Sequence, residues 1–251
     1  MGMMRAFLLG TLGLVGVALA APAVAADLPA RPWAKAPAPM IDPVYNWTGF
    51  YVGANGGWGT SRKCWDFAPG GVFAGPEGCH DSSGGVAGGQ LGYRWQAGTI
   101  VFGLEAQGDW AGLSGSNVSL LTGNTDRSRL DAFGLFTGQL GLAWNNALLY
   151  VKGGAAVTSN KYDIFTPGGA LLASGGNNTR WGGTAGVGVE YGFAPSWSVA
   201  LEYDHIFTDR QLVNFTTPAG GAFRTDRIGG DTDTLTARVN YRWGGPVIAK
   251  Y

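Results

Sequence analysis

Few residues in this 251-residue chain have the types and spacing that chemistry needs. There are two histidines, His80 and His205. His205 follows Asp204, and an aspartate beside a histidine is the acid–base half of a hydrolytic site. Neighbours on a strand point to opposite faces, so Asp204 and His205 make no dyad by themselves. No G-x-S-x-G nucleophile motif accompanies them. His80 lies between Cys79 and Asp81 and reads as an ordinary loop histidine. No catalytic residue, metal site or cofactor is expected, and no glycine loop precedes a Lys-Ser/Thr pair that could cradle phosphate.

Two other sets carry chemistry of a structural kind. Cys64 and Cys79 are the only cysteines. In an oxidising compartment they would pair, bracing the segment between them by about 3 kcal/mol. Lacking a histidine pair at ligand spacing, they make a poor zinc site. The second set is ionic. Arg94, Glu105, Lys152, Glu190, Glu202 and Arg238 recur on the glycine-rich face of otherwise apolar segments.

The segments that position these charges have a period of two. Phe50, Val52, Ala54 and Trp58 share one face, opposite Tyr51, Gly53, Asn55 and Gly57. Segments around Ala87–Gln96, Ile100–Trp110, Phe136–Trp144, Leu149–Val157, Trp181–Tyr191, Trp197–Phe207 and Thr234–Trp243 repeat the pattern, which makes eight strands. Their connections alternate. Short turns fall at Gln96–Gly98, Asn145–Asn146 and Gly192–Ser196; long loops are expected over Thr60–Ser83, Gly112–Arg129, Ser159–Asn178 and Thr208–Gly230. The expectation is an all-β, eight-stranded antiparallel up-and-down transmembrane barrel spanning 47–244, with short periplasmic turns and long outer loops. The alternative is a soluble β-sandwich. Aromatics clustered at strand ends, and charges mixed with glycine opposite the apolar face, favour the barrel. Eight strands leave an interior about filled by side chains. The six charges should therefore pair into a plug, because an unpaired ion there costs several kcal/mol.

Composition agrees. Charged residues are 14% of the chain, against roughly 25% in soluble domains. Lys plus Arg equals Asp plus Glu at 17 each, so no nucleic-acid surface is expected. Residues 1–25 read as a cleaved signal peptide: Arg5, an apolar Phe7–Ala20 and the Ala23-Val24-Ala25 cleavage site. Pro22 and the small residues around it favour cleavage over a retained anchor. Residues 26–46, with Pro29, Pro32, Pro37, Pro39 and Pro43, read as a periplasmic linker, and 245–251 as a tail.

Several pieces together resemble the small outer-membrane β-barrel proteins of alphaproteobacteria, the outer-membrane immunogenic or "porin family" proteins, relatives of the OmpA-type barrel. They are the Ala-Asp-Leu-Pro start, Trp47-Thr48-Gly49-Phe50-Tyr51-Val52-Gly53, Gly89-Gln90-Leu91-Gly92-Tyr93 and Leu149-Tyr150-Val151-Lys152-Gly153-Gly154. Gly188-Val189-Glu190-Tyr191 and Asn240-Tyr241-Arg242-Trp243-Gly244 complete them. The resemblance implies a non-enzymatic, structural and surface-antigen role in the outer membrane, among lipid and lipopolysaccharide. It also departs from the family's habit: Thr137 and Gln139 stand where inward arginines are usual, and Arg238 where glycine is. Tyr241 and Trp243 form an aromatic-x-aromatic ending for the assembly machinery to recognise. Linker and loops could meet peptidoglycan or surface ligands. A narrow pore or small-ligand transporter is the competing function.

Overall fold

The computed structural model describes residues 45–243. The expected signal peptide, the linker up to residue 44 and the C-terminal tail lie outside these residues. Ten antiparallel strands make one sheet: β1 (Gly49–Phe67), β2 (Gly75–Ala97), β3 (Ile100–Val118), β4 (Thr125–Trp144), β5 (Ala147–Phe165), β6 (Leu171–Ala194), β7 (Trp197–Phe207), β8 (Gln211–Thr216), β9 (Ala222–Gly229) and β10 (Thr232–Trp243). Strands β1 to β7 pair in chain order, and β10 pairs with both β7 and β1. Those eight close a ring. One continuous sheet closing on itself is not a sandwich of two.

Two features differ from the sequence reading. The expected loop Thr208–Gly230 contains the hairpin β8–β9, whose edges pair with β6 and β1 above the point where β7 and β10 stop. The last two strands are thus each broken, at 208–210 and 230–231. Gly230 makes the second break: its φ is 145°, and a Cβ there would lie 1.7 Å from the Arg62 carbonyl oxygen. Thr208 fastens it, donating its hydroxyl to the Gly230 carbonyl (2.6 Å) and its N–H to Asp231 Oδ1 (3.0 Å). The other three long loops are also mostly strand, leaving only 68–74, 119–124 and 166–170 between them.

The reason lies in how the alternation changes polarity. Low on β1 the outward residues are apolar, Phe50, Val52 and Trp58, and the inward ones include Asn55. Higher up, Thr60 and Arg62 face out while Trp65 is buried. Strand β4 does the same, with Phe136 and Leu140 outward against Thr137 and Gln139, then Arg127 and Arg129 outward against Phe133 and Leu130. The facing continues while the solvent changes.

The outward apolar residues form a belt around the ring. Phe50, Leu91, Leu104, Leu140, Val151, Val189, Leu201 and Val239 are all exposed, and Trp110 is 77% so. Soluble proteins rarely expose a contiguous apolar patch beyond a few hundred Å². Aromatics border the belt on both sides. Trp58, Trp110, Trp181 and Phe207 mark its upper edge. Along the lower edge, Phe50 packs edge-on to Tyr93 (4.6 Å), Trp95 stacks on Phe102 (5.5 Å), and Tyr241 packs against Trp197 (5.0 Å) and Trp243 (5.2 Å). From Phe50 to Trp58 is about 26 Å along the strand, or about 20 Å of height at the usual tilt.

Candidate functional site

The inward residues stack in alternating apolar and polar layers. At the turn end, Tyr45 and Trp47 fold their rings together (4.4 Å) and pack with Val101, Ala143, Leu148 and Tyr150. Trp47 N–H donates to Gln96 Oε1 (2.8 Å) and Tyr45 N–H to Asn146 Oδ1 (3.2 Å), so the chain before β1 is tied across the opening. Arg242 lies under Tyr45 (4.9 Å) and donates to the carbonyls of Thr48 and Pro195.

Above this layer all six charges singled out in the sequence are buried, and each meets an opposite charge. Arg94 pairs with Glu190 at 2.8 Å and donates to Gln139 (3.1 Å). Asn240 (2.9 Å) and the Ser198 hydroxyl also donate to Glu190. Lys152 meets Glu202 at 2.8 Å and Glu105 at 3.3 Å, and Arg238 reaches Glu105 at 2.8 Å and also Glu202. Sequence reasoning missed four members. Asp204 lies 3.3 Å from Lys152, and Asp109 accepts from Gln107 (2.9 Å). The hydroxyls of Tyr51 and Tyr150 donate to Glu105 and Glu202, each at 2.6 Å. Inward parity was the available signal for all four, but an inward tyrosine reads as packing until its carboxylate is known. Room for the two rings comes from Gly92 and Gly188, where an added Cβ would meet a tyrosine hydroxyl at 2.6 and 2.5 Å. The Arg94 guanidinium lies over Tyr51 at 4.5 Å, a cation–π contact that fixes the fork.

An apolar layer follows: Val86, Leu113, Leu130, Phe133, Leu135 and Ile206 fill the section above the ions. Next come Lys63, His80 and Arg180, all buried. Burial, then the neighbouring Arg180, holds the Lys63 ammonium down to about 8. His80 donates Nδ1–H to Asn117 Oδ1 (2.6 Å), since the Asn117 amide is itself spent on the Glu77 and Val118 carbonyls; burial depresses its pKa. Beside this layer Cys64 and Cys79, opposite one another on β1 and β2, are joined by a disulfide.

The outer extension has a second apolar core of Trp65, Tyr162, Ile164, Val213, Phe215 and Ile228. Burial pushes the Tyr162 phenol up to about 12. At its top Arg224 serves three buried carboxylates: Glu77 (2.9 Å), Asp226 (2.9 Å) and Asp126 (3.4 Å). Burial, with the like charge of Glu77, pushes Asp126 up to about 8; Asp226 rises to about 7, burial again being the larger cause.

The structure separates the residues that might have formed an acid–base pair. Asp204 points inward, whereas His205 faces out at the upper belt edge, its Nδ1 2.7 Å from Asp233. Among the described residues, no group of three or more His, Cys, Asp or Glu is placed to hold a metal ion. Tyr241 and Trp243 lie at the lower border of the belt, Trp243 outward.

The model of the outer membrane protein beta-barrel domain matches residues 11–243. The chain belongs to this family. Its place is the outer membrane, which supplies the lipid that the apolar belt requires. It is 29% identical to the 31 kDa outer-membrane immunogenic protein of Brucella melitensis, over 87% of this chain and 96% of that one. To the 22 kDa outer membrane protein of Rhizobium leguminosarum bv. viciae it is 30% identical, over 73% and 74%. Among solved structures, the outer membrane protease OmpT of Escherichia coli superposes with a TM-score of 0.50 at 9% identity, over 79% of this chain and 98% of that one. That likeness concerns the fold alone.

Proposed function

We propose that this barrel spans the outer membrane with the eight strands of its closed ring and acts as a non-enzymatic structural and surface-presenting element, with no through-pore. The observation that carries the reading is the stacked interior, in which two apolar layers bracket a hydrogen-bonded ionic layer. A porin-like path needs continuous water, and here any solute would have to displace Trp47 and Tyr150, then the Lys152 cluster, then Leu113 and Phe133. Eight-stranded walls are narrow enough for side chains to fill them. The outer extension, cored inside and presenting polar side chains together with exposed apolar ones such as Val72, Leu120 and Leu212, is the part that neighbouring cells or a host would meet. A relative named as immunogenic fits that reading. Lipopolysaccharide around the belt, the assembly machinery at β10, and peptidoglycan or surface ligands at the linker and loops are the partners it implies. Planar-bilayer recording of the purified barrel tests it. No stable conductance step is expected, and a reproducible open channel in the wild type overturns the closed interior.

A further inference from the structure

We propose that the outer part of the interior holds a small inorganic anion between Lys63 and Arg180. Four buried cations of this molecule, Arg94, Lys152, Arg238 and Arg224, each meet a carboxylate within 2.9 Å. Lys63 and Arg180 are as deeply buried, at 3% and 1% exposure, yet among the described residues neither has a carboxylate within ion-pair distance. Lys63 Nζ donates to the Gly230 carbonyl (2.7 Å) and Arg180 Nη1 to the Ile228 carbonyl (2.8 Å). Those acceptors are two residues apart across the break at Gly230, at most about 7 Å of chain, and Arg180 is close enough to act on the Lys63 ammonium, so both cationic heads are within reach of a single ion.

Donors are left over here. Among the described residues Arg180 Nε and Nη2 have no partner, nor does the hydroxyl of Ser82, two residues from His80 on β2, and all are buried. His80 Nε2, with the hydrogen on Nδ1, is an acceptor and adds no donor. His80 is opposite Lys63 in the β1–β2 register. Arg180 also lies against the Tyr162 ring at 5.1 Å. The acid that acts on Lys63 is Asp231, but its side chain is about half exposed and is engaged by the Thr208 N–H. The carboxylates around Arg224 lie beyond the Trp65 core. Apolar layers above and below deny the pair bulk water, so two like charges without a counterion are costly to keep there. Water satisfies a donor but leaves the charge; an anion answers both.

The test is made on protein purified from outer membranes. Crystals grown in sodium bromide should show an anomalous peak within hydrogen-bonding distance of both Lys63 Nζ and Arg180 Nη2. In detergent, the unfolding midpoint should rise about 3–5 °C per tenfold increase in bromide or chloride beyond saturation, at ionic strength held constant with gluconate. Lys63→Met or Arg180→Gln should abolish that dependence. Phosphate at equal ionic strength serves as a second probe, and a larger shift with it identifies an oxyanion as the natural occupant. Ordered water alone at the site, or midpoints indifferent to which anion is present, overturns the proposal, and the wild-type map decides even if a variant fails to fold.

Discussion

At the scale of single residues, the ionic layer stands or falls by Lys152. Among the described residues it is the cation that Glu105, Glu202 and Asp204 all share. Lys152→Met leaves Glu105 and Glu202 with Arg238 as their remaining cation and takes from Asp204 its ion pair among the described residues, and a broken buried pair costs about 3–5 kcal/mol. Urea unfolding of the refolded barrel should show that loss. Adding Asp204→Asn should recover part of it, because the two positions share one contact. A single variant within 1 kcal/mol of wild type would mean that the layer does not hold the barrel together. The six charges were legible because each is the odd charged residue on the small-residue side of an alternating segment. Asp109 and Asp204 share the same parity, but parity alone does not tell which inward carboxylates reach the cations: Asp204 stands beside His205 in the sequence and Lys152 is on another strand. Tyr51 and Tyr150 were invisible as network members, because their phenols act through contacts with distant strands, 54 and 52 residues away.

At the scale of the strands, the period-two pattern revealed where the belt lies but not how far the sheet continues. Above Trp58 the outward face turns more polar and the inward face mixes apolar residues such as Trp65 with charges such as Lys63, so a reading tuned to apolar-out segments stops there and sees loops. Serines, glycines and charges in Thr60–Ser83 look like loop chemistry until Trp65 is seen inside and Arg62 outside. The hairpin β8–β9 was concealed for the same reason, together with the breaks beside it. This outer extension should respond to pH. Asp126 and Asp226 titrate near 8 and 7 in the native state, against 3.8 ordinarily. The native state therefore binds more protons than the unfolded chain over that interval, and stability falls as pH rises. The contribution is complete below about pH 4 and is lost as pH passes through 7 to 8. Amide exchange across Gln211–Gly229, corrected for the intrinsic rate, should be slower at pH 5.5 than at pH 8.5 by about tenfold. Asp126→Asn should flatten that difference, and equal protection in the wild type at both values would sink the argument.

At the scale of the whole molecule, everything depends on β10. It pairs with β1 from Phe50↔Trp243 to Ser61↔Thr232 and with β7 from Thr232↔Ile206 to Tyr241↔Trp197, and so closes the ring. Inside hydrocarbon an open sheet edge leaves backbone groups unsatisfied at several kcal/mol each, so a chain lacking Thr232–Trp243 has no folded state in the membrane. Closure and recognition can be separated. Tyr241→Ala with Trp243→Ala keeps every backbone pair of β10 but removes two rings from the lower aromatic border. If the assembly machinery reads those rings, the double variant should refold in detergent with the heat-modifiable gel shift of a closed barrel, while its level in the outer membrane of living cells drops severalfold. Failure in both settings would assign the rings to the stability of the wall, and normal levels in cells would remove them from assembly altogether. The ordering follows from the fold: the strand that closes the ring is the last of the eight in chain order, so its aromatic border is where a barrel ready for insertion differs from one still incomplete.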